Sequence, residues 1–119
     1  MIRSYKDLEI WKRGVELVTS IYMLTKGFPK SETYALVDQV QRAALSIPSN
    51  IAEGHSRQHT KEFRQSLYVA LGSLAELETQ LIIAGKLGYL EEEKLNQFLL
   101  EMDAISKMTR GLIKRLQIK

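Results

Sequence analysis

Cysteine is absent from the 119-residue chain, so neither a disulfide framework nor a thiolate metal site is open to it, and a reducing compartment, the cytoplasm, is its natural setting. Histidine is nearly as scarce: the two copies, His55 and His59, fall in one polar stretch. A ferritin-like di-iron bundle needs inward Glu-x-x-His pairs on two helices, and none occurs. The His55/His59 spacing of four would supply half of a metal site on a helix, yet the polar stretch reads as a connector, where solvated or phosphate-adjacent histidines are the simpler expectation. There is no Gly-rich phosphate loop, and no nucleophile stands beside a base. The expectation is therefore a protein that is not an enzyme, with no cofactor and no metal. The opening Met1-Ile2-Arg3-Ser4-Tyr5-Lys6-Asp7 lacks the apolar h-region of a signal peptide, and no unbroken apolar run approaches a membrane span, which predicts a soluble protein.

What is present is ordinary globular composition, 45% hydrophobic and 26% charged, in a chain of one-domain length covering residues 1–119. A chain of this size buries roughly two-thirds of the surface that its unfolded form exposes. Seventeen Lys and Arg against fourteen Asp and Glu leave a net charge of +3, which permits polyanionic partners without requiring them.

The two prolines, Pro29 and Pro48, and the glycines divide the chain into four long segments of helical period, and no strand alternation appears. The first, about Tyr5 to Thr25, places Leu8, Trp11, Val15, Val18 and Tyr22 on one face. Gly27, in a left-handed C′ conformation, and Pro29 should stop it. Ser31 then reads as the N-cap of a second helix carrying Leu36, Val40, Ala43, Ala44, Ile47 and Ile51. Pro48 within it predicts a kink near Ala44 to Pro48 or a break with a short continuation, and Gly54 its end. Thr60 is the candidate N-cap of a third helix.

In that third helix Phe63, Leu67, Ala70, Leu74, Leu77, Leu81 and Ala84 follow a strict four-three spacing, the seam of a helix packed at a shallow angle. Leu71, Ala75 and Ile82 widen the apolar arc beyond what a one-sided helix needs, so contact on two sides is expected. Gly85 and Gly88 bracket a turn, and Glu91-Glu92-Glu93 opens a fourth helix with a stripe of Leu95, Phe98, Leu99, Met102, Ile105, Leu112 and Leu116, interrupted at Thr109. Four such helices on short connections predict an all-α, antiparallel up-and-down four-helix bundle. Gly14, Gly72 and Gly111 fall inside helices and point to close approaches or bends.

Two groups of polar residues stand out. Asn50 and Glu53 lie among Ile47, Ile51 and Ala52, either capping a helix end locally or forming a satisfied buried network that fixes register between helices. Glu76 and Glu78 flank Leu77 and suit solvent or interface contact better than acid/base work. The second group is basic: Arg57, Lys61 and Arg64 surround the start of the third helix, where backbone N–H groups favour anions. Arg42, with Lys12 and Arg13 behind it, completes the candidate phosphate contacts, against the plainer reading of a solvated basic face. Lys107, Arg110, Lys114, Arg115 and Lys119 at the end of the fourth helix are accounted for by its dipole.

Tyr5-Lys6-Asp7-Leu8-Glu9-Ile10-Trp11, Phe28-Pro29-Lys30-Ser31-Glu32, the run from Gln39 to Gly54 containing Ser46-Ile47-Pro48-Ser49-Asn50-Ile51-Ala52-Glu53-Gly54, and Ala70-Leu71-Gly72-Ser73-Leu74-Ala75-Glu76-Leu77-Glu78 together resemble the 23S rRNA intervening-sequence protein family over nearly the whole chain. The resemblance implies a four-helix bundle assembled into a ring-like homopentamer. Some members are encoded inside insertions in 23S rRNA genes. A similar protein, the accessory variability determinant of diversity-generating retroelements, binds nucleic acid and a reverse transcriptase. Gly14 departs from the alanine usual at its place. A fold is inherited more faithfully than a task, so two expectations stand: an oligomer that binds RNA or DNA through pooled basic side chains, and a scaffold that docks a partner enzyme such as a reverse transcriptase without touching nucleic acid.

Overall fold

The computed structural model describes residues 4–116, and within them four α-helices follow one another without a strand: α1 Glu9–Thr25, α2 Leu36–Ser56, α3 Thr60–Lys86 and α4 Glu92–Arg115. Each helix packs on the next and α1 closes against α4, an up-down-up-down bundle 48 Å long and 21–24 Å across. The expectations that touch Met1, Ile2, Arg3 and Lys119 lie outside the described residues.

The seam of α3 is the spine of the core. All of Phe63, Leu67, Ala70, Leu74, Leu77, Leu81 and Ala84 are buried, facing α2 on one side and α4 on the other. The apolar content of α3 exceeds the expectation drawn from unbroken runs: an 18-residue window within Thr60–Lys86 reaches a mean hydropathy of 1.3, enough by length and composition to cross a membrane. The bundle puts that seam into its own core instead. Outside it, Tyr68, Leu71, Ala75 and Ile82 form a second line, at spacings of three, four and seven, that α2 and α4 leave half-open or exposed.

The face of α1 differs from expectation. Ile10, Gly14, Leu17, Ile21 and Thr25 are buried, whereas Val15 and Tyr22 are exposed and Trp11 and Val18 half-buried. The two stripes lie one residue apart, about 100° around the helix, and a contact with α2 selects between them. With no side chain at Gly14, α1 seats directly on Pro48; a Cβ there would stand 3.3 Å from the Pro48 Cβ. Pro48 is buried inside a helix that runs unbroken from Leu36 to Ser56, which removes the expected break.

Several helix ends also move. Gly27 does not adopt a positive φ; α1 closes through the Gly27 N–H on the Leu24 carbonyl at 3.1 Å and the Phe28 N–H on the Thr25 carbonyl at 3.0 Å. Ser31 caps nothing, because Lys30–Glu32 form a 3-10 turn and α2 starts only at Leu36, whose N–H donates to Glu32 Oε1 at 3.4 Å. Gly54 does not end α2 but is buried against Ser66 and Phe63 of α3. His59, not Thr60, occupies the N-cap position of α3. Thr109, the gap in the α4 stripe, is fully buried and satisfied, its hydroxyl donating to the Ile105 carbonyl at 2.7 Å.

The α3–α4 turn is closed by Gly88 at φ +81, with the Tyr89 N–H reaching the Ala84 carbonyl at 2.9 Å and the Gly88 N–H the Gly85 carbonyl at 3.0 Å, a Schellman cap. Tyr89 ties this turn to the α1–α2 turn: its hydroxyl donates to Glu32 Oε2 at 2.8 Å, and its ring packs against Phe28 with centroids 5.5 Å apart.

Candidate nucleic-acid interface

Antiparallel packing gathers four helix termini at the end of the bundle that holds the α2–α3 connection. The start of α1, the end of α2, the start of α3 and the end of α4 meet there, as the bond from Arg64 Nε to the Ile113 carbonyl at 3.3 Å shows. Charge follows this geometry. Residues 4–13, 50–68 and 108–116, which make up this end, hold nine Lys and Arg against four Asp and Glu, whereas the rest of the described chain holds six against ten. A chain of net +3 is therefore strongly polarised along its length, and fields of like charges in one place add.

The six predicted basic residues differ in position and in partners. Lys61 and Lys12 are exposed, with no carboxylate paired to them among the described residues. Arg57 is exposed and lies 3.5 Å from Glu53, an i,i+4 surface pair that contributes little and exchanges readily. Arg64 is half-buried and donates its Nε to the Ile113 carbonyl of α4, which closes the C-terminus of that helix. Arg13 is held by Glu9 at 3.4 Å and reaches Glu101 of α4 at 3.8 Å. Arg42 pairs with Asp38 at 2.9 Å and sits fifteen residues before Arg57 on the same helix, roughly 22 Å away at 1.5 Å per residue.

Beside Lys12, Arg13, Arg57, Lys61 and Arg64 the fold brings Lys6, Arg110, Lys114 and Arg115 to the same end, all four exposed and none in an ion pair among the described residues. The signal for α4 was its run of cations without an acid; what converts that run from dipole complement to part of a surface is that α4 ends where α3 begins.

Asn50 and Glu53 part company. Asn50 Nδ2 donates to the Ser46 carbonyl at 2.7 Å and to Ser46 Oγ at 2.9 Å, and Ser46 Oγ shares a hydrogen bond of 2.6 Å with Ser73 Oγ on α3. A polar chain thus crosses from α2 to α3 in the middle of their contact. Glu53 takes no part in it and faces solvent beside Arg57. Glu76 and Glu78 are exposed.

The His55 ring packs edge-on to Phe63, with centroids 5.3 Å apart and planes at 85°. His59 is exposed at the N-cap position of α3, and among the described residues no three His, Asp or Glu side chains come together to hold a metal ion.

A family model described as 23S rRNA-intervening sequence protein matches residues 6–111. No curated protein matches the sequence. A solved structure from Bacteroides thetaiotaomicron VPI-5482, described as a protein with unknown function from the S23 ribosomal protein family, is similar in fold: the TM-score is 0.81 at 24% identity, covering 88% of this chain and 95% of that one.

Proposed function

The chain belongs to the 23S rRNA-intervening sequence protein family, and from that premise we propose that it is a homo-oligomeric nucleic-acid-binding protein, pentameric by the resemblance, that binds RNA or DNA through basic side chains pooled from several copies. The observation that carries this reading is the crowding of basic over acidic residues at the α2–α3 end. One copy offers a handful of phosphate contacts; copies arranged side by side in the same sense set their basic ends on one face, where counterion release multiplies.

The second line on α3 supports assembly. Between Arg64 and Lys86 the face of Tyr68, Leu71, Gly72, Ala75, Thr79 and Ile82 carries no charge and is small at its middle, the composition of a surface that another helix covers. Lys12, Arg57 and Lys61, with Lys6, Arg110, Lys114 and Arg115, are the phosphate contacts on this reading. Arg13 and Arg64 reach across to α4, and Arg42 lies apart from this end.

The experiment is a binding titration of labelled RNA and DNA strands at low and moderate salt, run beside light scattering for mass. Affinity should fall steeply with salt, and Ala75→Arg should reduce the mass to one copy and weaken binding with it. No binding at low ionic strength, or binding indifferent to salt, defeats the nucleic-acid reading. A single-copy mass for the unaltered protein defeats the assembly.

A further inference from the structure

At the basic end a cleft of about 290 Å3 opens between the start of α1, the α2–α3 connection and the last turns of α4. Its walls divide by chemistry. Leu8 and Phe63, both buried, with half-buried Leu112 and Leu116, make an apolar floor. His55, Gln58, His59 and Thr60 make a rim of polar groups, two of them flat rings. His55 is fixed edge-on against Phe63, while His59 stands exposed at the lip in extended backbone, φ −121 and ψ 124. Gln58, also in the lining, is the one described non-glycine residue with a positive φ, +61.

The size and the surroundings both restrict what fits. The volume of about 290 Å3 lies just under the ~300–1,000 Å3 typical of ligand clefts, room for one planar ring system on an apolar floor. Cations adjoin the cleft in sequence on either side of its rim: Arg57 precedes Gln58, and Lys61 follows Thr60. An apolar, ring-edged cavity beside cations complements a flat heteroaromatic ring that carries phosphate. We infer that the cleft takes one unstacked base of a single-stranded nucleic acid, with the phosphates next to that base on Lys61 and Arg57.

Duplex bases keep their faces inside the stack and would offer this end phosphates alone, whereas an unpaired base presents a π-face to His59 and an edge to the polar rim. Arg57 loses little by leaving exposed Glu53 for a phosphate. The inference rests on the nucleic-acid reading above and narrows it to unpaired strands.

The test compares two strands of equal length and charge, an oligothymidylate and an abasic phosphodiester analogue, binding to the full-length protein, to His59→Ala and to His59→Trp. His59 is exposed, so both variants keep the core intact. The thymidine strand should bind the unaltered protein about five-fold or more tighter than the abasic one, the stacking value of a single base. His59→Ala should erase that preference, and His59→Trp, a larger platform, should restore or enlarge it. Equal binding of the two strands to the unaltered protein overturns the inference while leaving phosphate binding in place; it is also what a cleft reserved for an apolar side chain of a partner protein would give. A base preference that survives His59→Ala places the base elsewhere and likewise overturns it. If neither strand binds at low salt, the nucleic-acid reading falls first and this one with it.

Discussion

Gly54 of α2 and Ser66 of α3 face each other so closely that a single methyl group on Gly54 would overlap the Ser66 side chain and touch the Phe63 Cα. The last turn of α2 and the first turns of α3 are in contact there, below the cleft and the cations around it. Gly54→Ala gains the helix propensity of alanine, about 1 kcal/mol, but must force the helices apart, and overpacking of this kind costs about 1–3 kcal/mol. A net loss of stability is expected in thermal unfolding. Adding Ser66→Gly to Gly54→Ala removes the obstructing Cβ and should recover part of the loss, whereas Ser66→Gly in the unaltered protein should itself be destabilising. Additive effects of the two substitutions would show that the helices do not meet through these residues.

Gln58 closes α2 in the left-handed conformation that Gly88 supplies at the end of α3. For a residue with a Cβ that conformation costs roughly 1–2 kcal/mol, of which glycine's greater freedom in the unfolded chain returns a part. Gln58→Gly should therefore stabilise the protein by up to about 1 kcal/mol, raising the midpoint of thermal unfolding. A lowered midpoint would mean that the Gln58 side chain supports the connection by more than its backbone strains it.

These positions also mark where reading the sequence stops. The α3 seam was legible because seven apolar residues keep one unbroken four-three spacing along the helix. In α1 two stripes competed, and the apolar one, from Leu8 to Tyr22, won on hydrophobicity alone; the buried one contains Gly14 and Thr25, whose value lies in contacts with Pro48 and with Gln41, the Gln41 Nε2 donating to Thr25 Oγ1 at 3.1 Å. Gly54 looked like a terminator, since a glycine that ends a helix and one that admits a neighbour are the same letter. In the candidate interface, Lys61 and Arg57 were legible from local clustering. The α4 cations joined them only through topology, and the bond of Arg64 to a residue forty-nine positions away was not legible at all.

Asn50 was visibly out of place among Ile47, Ile51 and Ala52, but its partners were not, because serines are too common to stand out. Ser46 links Asn50 to Ser73, and Ser73 is buried on α3. Ser46→Ala leaves both partners short of a hydrogen bond and should cost about 1–3 kcal/mol in denaturant unfolding. Ser46→Ala with Ser73→Ala should cost less than the two single changes summed, because the second substitution removes a group already unsatisfied. Strict additivity would sever the proposed chain.

Tyr89 and Glu32 join the two turns at the opposite end of the bundle. The hydrogen bond to Glu32, then burial, then the carboxylate charge raise the Tyr89 pKa above the ordinary 10.0. A folded-state pKa above the unfolded value favours folding while the phenol keeps its proton, so this contribution is complete below pH 10 and is lost as pH rises through the folded value. Followed by phenolate absorbance, Tyr89 should ionise later than an unperturbed tyrosine, and Tyr89→Phe should remove a late-titrating component. A high-pH arm identical in the two proteins would show that the bond does not persist in solution.

Lys61 and Arg64 are three residues apart on α3, one turn, and should fail in opposite ways. Arg64 donates to the Ile113 carbonyl at the end of α4, so Arg64→Ala should lower stability by about 0.5–1.5 kcal/mol, the net worth of a hydrogen bond, and leave nucleic-acid affinity nearly as it was. Lys61 has no partner among the described residues, so Lys61→Ala should leave the unfolding midpoint in place while weakening binding across all sequences and reducing the slope of log affinity against log salt by about 1 for each phosphate contact removed. Parallel unfolding curves and salt titrations on the two variants separate the roles. If Lys61→Ala leaves the salt slope untouched and Arg64→Ala flattens it, the contact surface lies on the α4 side of this end, and Arg64 must release Ile113 to reach its ligand.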